Sequence, residues 1–195
     1  MKLRALAIAT LIGATTISPA QAAPNYVFPI VGCDYTYAKA HHDYPATDIL
    51  AKAGCRYVAV TSGVIDEVNR VDSWSGKTNL GVDRGGLYVS FIGTDGVRYY
   101  ASHLRTIPQS IQPGVEVKVG RLLGTVGATG SARGTKPHIH FGLSWSTPPQ
   151  TWWVRRGMVW PWKYLDAWKA GKDLSPAKEV DAKRLKVGDL PPEPK

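Results

Sequence analysis

Outside its first 22 residues, the sequence lacks apolar runs of membrane-spanning length. A spanning helix needs about 20 consecutive apolar residues, so we expect no membrane span in the mature chain. The start predicts a secretory signal peptide over residues 1–22, because Lys2 and Arg4 precede a short apolar segment and Ala20-Gln21-Ala22 matches the A-x-A cleavage pattern. An uncleaved anchor or a buried helix is the alternative. The prediction is an exported protein, either secreted or held in the periplasm or cell wall.

Cysteine is almost absent, and its two positions are Cys33 and Cys55. In an exported chain an even pair predicts a disulfide, while thiolate ligation of a metal is the alternative. The bridge would close a loop of about 21 residues and contribute roughly 3 kcal/mol in the chain-entropy model. That loop contains His41, His42 and Asp48, so a bridge would hold an irregular segment rich in metal-binding side chains.

Acidic side chains are outnumbered by basic ones. The sequence has 24 lysines and arginines against 15 aspartates and glutamates, for a formal charge of +9 at pH 7. Loss of Lys2 and Arg4 with the signal peptide would lower this charge from +9 to +7. Surplus positive charge favours anionic envelope polymers or membrane surfaces, although a spread of charge is also typical of a solvated surface. No recognised nucleic-acid-binding module is present, so no nucleic-acid partner is expected.

Helical periodicity of any length is missing between residues 57 and 143. Short apolar or alternating segments are separated there by glycine-containing turns, of which Thr94-Asp95-Gly96 is a hairpin signal. The predicted strands lie near residues 57–60, 63–68, 87–92, 97–101, 115–118 and 122–127. A mature chain of about 170 residues fits one domain. The pattern predicts an all-β fold, a compact antiparallel sheet or sandwich.

Histidine carries the clearest chemical signal. Each of its five positions lies in a motif-like segment: His41, His42, His103, His138 and His140. Side chains two apart on a strand share a face, so His138 and His140 should point one way and Ile139 the other. Two imidazoles side by side on a rigid backbone suit a metal ion, or a metal and a catalytic base. For the H-x-H pattern alone, a strand with two exposed histidines is an equally good interpretation.

Tryptophan is concentrated after Ser144, where six of the seven occur. Pro161 could begin a helix that ends near Ala170, with Trp160, Tyr164 and Trp168 on one face. We favour packing of this face against the sheet over a glycan-binding aromatic surface. The predicted organisation is a domain at 23–150, a Trp-rich helical extension at 151–180 packed on it, and a disordered polar tail at 181–195.

Several of these elements together resemble the M23 metallopeptidases, the lysostaphin-like or LytM-like peptidoglycan endopeptidases. The resemblance covers about residues 30–147. It is carried by segments in the family's order: the His…Asp element, Gly63-Val64-Ile65, Tyr100-Ala101-Ser102-His103-Leu104, Pro113-Gly114, Gly120-Arg121-Leu122-Leu123-Gly124, Gly127-Ala128-Thr129-Gly130 and Pro137-His138-Ile139-His140-Phe141. Jointly these segments are specific, although no single one would be.

The resemblance implies a compact antiparallel β domain that binds one Zn²⁺ per chain and cuts peptide bonds of the cell wall. The metal ligands it implies are His42, Asp48 and His140, an open site with room for water. The implied catalytic residues are His103 and His138, which would orient or deprotonate the water and stabilise the oxyanion. The H-E-x-x-H pattern is missing, so no glutamate base of the helical zinc-protease type is expected.

The first element departs from the family, which usually spaces it as H-x-x-x-D. Here the spacing is H-x5-D from His42 or H-x6-D from His41, and Tyr44 occupies the position that the usual spacing gives to histidine. The loop must therefore bulge. We favour His42 as the ligand, with His41 as the alternative.

Three functions fit this sequence. The first is a zinc endopeptidase acting as a monomer on peptidoglycan peptides. The second is a catalytically silent relative that binds the wall or activates another hydrolase; such relatives typically lose ligands, and none is clearly lost here. The third is a zinc hydrolase of the same scaffold that acts on extracellular protein.

Overall fold

Short β-branched and aromatic segments, separated by glycine turns, form eleven strands in the computed structural model, which describes residues 25–42 and 44–194. The predicted signal peptide at 1–22 lies outside the described residues. The strands are β1 (Ile30–Val31), β2 (Tyr35–Tyr37), β3 (Thr47–Ala51), β4 (Arg56–Val58), β5 (Gly63–Asn69), β6 (Tyr88–Gly93), β7 (Arg98–Ser102), β8 (Leu104–Thr106), β9 (Glu116–Val117), β10 (Leu122–Val126) and β11 (His138–Ser144). Three helices follow: α1 (Trp152–Arg155), α2 (Trp162–Lys169) and α3 (Ala177–Val187).

Two antiparallel sheets result. The smaller has the order β1-β4-β10-β8 and the larger has the order β2-β3-β11-β7-β6-β5-β9. This architecture confirms the predicted all-β class with short C-terminal helices. The long strand β11 lies between β3 and β7, so its backbone donors and acceptors are paired on both sides.

Side chains alternate between the two faces of β11, so that one face packs in the apolar core and the other carries histidines of the site. Ile139, Phe141 and Leu143 are fully buried in the apolar core, which they share with residues such as Leu104 and Leu123. Each such side chain contributes about 1.5–3 kcal/mol through burial. The intervening residues, His138 and His140, leave this core on the opposite face, as the strand period predicts. Packing of the apolar face therefore fixes where the imidazoles stand.

The C-terminal extension is tied down by its indole groups. The Nε1–H groups of Trp145 and Trp153 donate to the carbonyl oxygens of Asp189 and Pro191, each at 2.8 Å. On α2, Tyr164 and Trp168 are buried within the core, and Trp168 stacks on Tyr26 with 5.5 Å between ring centroids. These aromatic groups thus pack inward rather than forming an exposed surface.

The tail differs from its prediction. Residues 181–187 belong to α3 instead of starting a disordered segment at 181, and the chain beyond it supplies the two carbonyl acceptors for the indoles. The prediction was wrong because α3 is mostly charged and packs through few side chains, chiefly Val180, which is 1% exposed, with Ala177 and Val187 half-buried against the core. Composition reflects the polar surface of such a helix but not its few apolar contacts.

The predicted Cys33–Cys55 disulfide is present, with 6.0 Å between the two Cα atoms. It joins the turn before β2 to the turn before β4, and the chain between them includes the segment that leads to Asp48.

Within the described part of the chain, the helices are too short or too polar to cross a membrane.

Replacing both Cys33 and Cys55 with alanine should lower the free energy of unfolding by about 2–4 kcal/mol. The bridge spans 22 positions of sequence and restricts the unfolded chain, so its loss favours unfolding. Urea denaturation without reductant measures this, with reduced wild-type protein as the matched comparison. Equal urea midpoints for the variant and the oxidised wild type would contradict the expectation.

Candidate active site

Strand register creates the centre of the site. In the antiparallel pair of β3 and β11, Asp48 stands directly opposite His140. Directly opposed side chains lie about 4.5–5.5 Å apart at Cβ, close enough for their polar atoms to meet. The Nδ1 atom of His140 is 3.1 Å from Oδ1 of Asp48. The H-x-H strand and the Asp of the first element, which are 92 positions apart, are thus brought together by backbone pairing alone.

The third member of this group is His41. Its Nε2 atom is 3.6 Å from Oδ1 of Asp48, and its ring lies 4.8 Å from that of His140. One ligand atom from each of His41, Asp48 and His140 can be chosen so that all lie within 4.8 Å of one another. We call these three residues the His-Asp-His cluster.

The structure differs from the ligand that we favoured in the first element. His42 is exposed and touches the cluster only through a ring contact with His41 at 4.7 Å, whereas His41 is 8% exposed. The described residues around both histidines, 38–42 and 44–46, form no strand. Since no strand period governs this segment, spacing cannot tell which of two adjacent side chains turns inward. The histidine that turns inward towards Asp48 is His41, the alternative with the H-x6-D spacing.

Backbone carbonyls determine the tautomers of the buried imidazoles. A carbonyl can only accept, so a ring nitrogen bonded to one must carry hydrogen. Nε2–H of His140 donates to the carbonyl of Arg156 at 2.8 Å, and Nδ1–H of His41 donates to that of Tyr44 at 3.3 Å. The nitrogens left with lone pairs, Nδ1 of His140 and Nε2 of His41, are the two that face Asp48.

The Arg156 carbonyl reaches His140 because a glycine lets it approach. A Cβ atom on Gly142 would lie 2.2 Å from that carbonyl oxygen, which leaves no room for any other residue. The amide of Met158 also donates to the carbonyl of Leu143 at 2.8 Å. The C-terminal extension is therefore bonded to the strand that carries the histidines.

The remaining two histidines face each other beside the cluster. The rings of His103 and His138 are 4.9 Å apart, and the ring of His103 is 6.2 Å from that of His140. Nδ1–H of His103 donates to the carbonyl of Thr129 and Nδ1–H of His138 to that of Lys136, both at 2.8 Å. Each keeps an Nε2 lone pair that could accept a proton.

His103 has a left-handed backbone, with φ of 64°. This conformation is uncommon for a residue other than glycine and costs on the order of 1–3 kcal/mol. It occurs at the corner between β7 and β8, where the His103 amide donates to the carbonyl of Gly85 at 2.9 Å. The corner turns the imidazole towards His138, so the backbone strain is tied to the placement of this side chain.

Burial keeps His41 and His103 neutral. It lowers the pKa of His103 to about 3 and that of His41 to about 4, and in both cases the neighbouring imidazole of His140 adds to the effect. Burial alone would raise the pKa of Asp48, but the close imidazoles of His140, His41 and His138 favour its charged form and lower this pKa to about 2. Neutral imidazoles and an ionised carboxylate are the forms that bind a metal.

The cluster fits a zinc ion. Two lone pairs and a carboxylate converge on one point, an arrangement that is repulsive unless a proton or a cation lies between them. Tetrahedral ligands about 2.0–2.1 Å from zinc lie roughly 3.3 Å from each other. The observed separations from Asp48 Oδ1 are 3.1 Å to His140 Nδ1 and 3.6 Å to His41 Nε2. Two nitrogens and one oxygen also match the donor preference of zinc.

The cluster and the facing histidines lie along one groove of about 600 Å³. The sequence did not identify several residues of its wall, which come from the loop before β3, the 79–85 segment, the 131–136 segment, and α1 with the residue after it. They include Tyr44, Arg84, Lys136, Trp152 and Arg156. No spacing or motif could have identified the residues from α1, because the extension lies beyond the segments that carry the family resemblance.

Comparison with known proteins identifies the relationship. Residues 42–151 match the sequence model of Peptidase family M23, more than half of the 195-residue chain. The chain belongs to Peptidase family M23. His41 lies one position before the matched range, so the choice between His41 and His42 rests on the geometry. No curated protein matches the chain.

Solved M23 structures share this fold. The catalytic domain of the antimicrobial peptidase lysostaphin from Staphylococcus simulans is 25% identical, with a TM-score of 0.52 over 68% of this chain and 92% of that one. A longer lysostaphin chain from the same organism is 24% identical, with a TM-score of 0.56 over 80% of this chain and 59% of that one. The M23 recognition made from the sequence is confirmed.

Metal-free protein should lose stability as the pH falls from about 6.5 towards 4. Unfolded imidazoles take up protons near 6.5, whereas folded His41 and His103 do so only near 4 and 3, so the unfolded state binds more protons in this window. Asp48, with its lowered pKa, loses its contribution only below its ordinary value of 3.8.

Urea midpoints of chelator-treated protein between pH 7.5 and 4.5 measure this stability. The variant that combines His41→Gln with His103→Gln is the matched comparison and should show a flatter dependence on pH. A wild-type midpoint that stays constant across the range would contradict the neutral state of these two side chains.

Proposed function

We propose that this protein is a zinc-dependent endopeptidase that hydrolyses peptide bonds in bacterial peptidoglycan. The observation that carries the proposal is the pairing of the His-Asp-His cluster with two further histidines, His103 and His138, in one groove of an M23 fold. Three protein ligands leave a metal open to water, as catalytic zinc sites require. Family membership supplies the reaction class, peptide-bond hydrolysis.

We assign the zinc ligands as Nε2 of His41, Oδ1 of Asp48 and Nδ1 of His140. Zinc bound there supplies Lewis-acid activation of a water molecule and of the scissile carbonyl. The protein holds these three atoms ready, because register places Asp48 opposite His140 and the Arg156 and Tyr44 carbonyls fix which ring nitrogens are free. This assignment replaces His42 by His41 in the ligand set that the sequence favoured.

His103 and His138 act on the proton and the developing charge. Their Nε2 atoms carry lone pairs, so either imidazole can take the proton of the attacking water and return it to the leaving amine. Once protonated, an imidazole donates a hydrogen bond to the oxyanion. Each ring is held by an Nδ1–H bond to a carbonyl, which fixes its orientation through both steps.

The setting we propose is outside the cytoplasm, after export and signal-peptide cleavage, with one zinc per monomeric chain. Two features support it: the disulfide, which belongs to oxidising compartments, and the predicted signal at 1–22. The positive net charge suits anionic polymers of the envelope.

Replacing His103 or His138 with alanine should leave the zinc content near one per chain and lower the rate of wall hydrolysis by about 10²–10⁴-fold. Replacing His140 or His41 should abolish both zinc binding and activity, since each removes a ligand. The measurement is loss of turbidity of a peptidoglycan suspension, with amine release and elemental analysis on the same samples. Mass spectrometry of the released fragments identifies the scissile bond.

His42→Ala is the matched control for His41→Ala and should keep its zinc. Wild-type zinc content in the His41 variant, combined with loss in the His42 variant, would reverse the ligand assignment. Zinc-loaded wild-type protein that releases no amines from any peptidoglycan would overturn the endopeptidase and favour a wall-binding protein. Faster cleavage of casein than of wall peptides would show that the substrate is extracellular protein rather than peptidoglycan.

A further inference from the structure

We propose that the Arg156 guanidinium determines specificity by binding a carboxylate of the peptide in the groove. The inference rests on the proposed function and adds the chemical class of its substrate, an acidic wall peptide. At the edge of the His-Asp-His cluster this cation is firmly positioned, and among the described residues it has no anionic partner.

Arg156 is positioned by two aromatic rings. Its guanidinium carbon lies 3.8 Å from the centroid of the Tyr44 ring and 4.9 Å from that of a Trp152 ring. The Tyr44 ring in turn is 4.6 Å from that of His41. The cation is therefore one side chain away from the candidate metal ligands. Its own carbonyl bonds to His140, which ties the backbone of this residue to the same cluster.

The two rings contact the planar faces of the guanidinium and not the N–H groups at its edge. Arginine packs on aromatic rings through its planar faces, while its five N–H donors point outward in the plane. Among the residues that the structure describes, Arg156 makes no side-chain hydrogen bond or ion pair, and its polar contacts are limited to the two aromatic rings. The guanidinium is thus oriented in advance for a partner that arrives from the groove.

The two arginines that are buried in the described part of the chain are paired with carboxylates. Arg155, its neighbour in the chain, forms a buried ion pair with Glu67, and Arg98 lies 2.9 Å from Asp66. Arg156 is also not an ordinary solvated surface arginine, because its side chain is partly buried and lines the groove. The contrast indicates that the missing anion belongs to a ligand.

The charge of the groove selects an anionic ligand. Its described lining contains one carboxylate, Asp48, and four cations, Arg84, Lys136, Arg155 and Arg156, of which Arg155 is neutralised by Glu67 outside the lining. Asp48 is committed to the metal in our assignment, so it cannot neutralise Arg156. The planar guanidinium fork matches a carboxylate in two-point geometry. Free carboxylates are the anionic groups of peptides, the substrate that the peptidase fold takes.

The test compares one peptidoglycan preparation before and after its carboxylates are converted to amides with carbodiimide and ammonium chloride. Phosphate-containing polymers are extracted first, so that carboxylates are the anions that remain. The variants are Arg156→Met, Arg156→Lys and, as a control for the same change in net charge, Arg121→Met. Arg121 is exposed, donates to Ser110 and lies outside the groove lining.

Wild-type protein should cleave the native wall roughly 10–100-fold faster than the amidated wall, the effect of a charge-assisted hydrogen bond. Arg156→Met should bring this ratio close to one, Arg156→Lys should restore part of it, and Arg121→Met should keep the wild-type ratio. An Arg156→Met variant that slows on both walls equally would show that the side chain only supports Tyr44 and Trp152. That result would overturn the proposal.

Binding separates this proposal from the endopeptidase. Co-sedimentation of each zinc-loaded protein with the two walls gives dissociation constants whether or not cleavage occurs. If wild-type protein releases no amines, the proposed function fails, but tighter binding to the native wall that is lost in Arg156→Met still supports carboxylate recognition. Equal binding of wild-type protein to native and amidated wall overturns it. An effect of Arg156→Met confined to wall that retains phosphate polymers would assign the site to those polymers.

Discussion

The antiparallel pairing of β3 with β11 is the constraint on which the site depends. It places Asp48 opposite His140 by backbone hydrogen bonds alone, and the apolar partners Ile139 and Phe141 fix which face of β11 carries the imidazoles. A slip of one residue in this register would turn His140 into the core and Ile139 into the groove. The His-Asp-His cluster is therefore stabilised by the same burial that stabilises the fold.

Backbone carbonyl oxygens orient the imidazole rings of the site. His41, His103, His138 and His140 each donate one ring N–H to a backbone carbonyl, and the four acceptors come from three connecting segments of the chain. These bonds choose the tautomer and hold each ring without adding a charge to the groove. One acceptor, the carbonyl of Arg156, comes from the C-terminal extension, so this segment takes part in organising the site as well as covering the sheet.

Features that depend on strand periodicity or on family motifs could be predicted from the sequence. The H-x-H strand, the antiparallel fold and the disulfide follow from the residue patterns and Asp48 from the family resemblance, and the structure has each of them. That His41 rather than His42 lies in the cluster could not be predicted, because the described residues on either side of them form no strand that would relate spacing to direction. The role of α1 and the order of residues 181–187 were also hidden, since both depend on a few long-range contacts to polar segments.

The zinc assignment can be tested most directly by anomalous scattering at the zinc edge from crystals of the metal-loaded protein. The account predicts one peak, about 2.0–2.2 Å from His41 Nε2, Asp48 Oδ1 and His140 Nδ1. His103 and His138 should lie near the peak without ligating it. A peak bound by His42, or one held between His103 and His138, would contradict it.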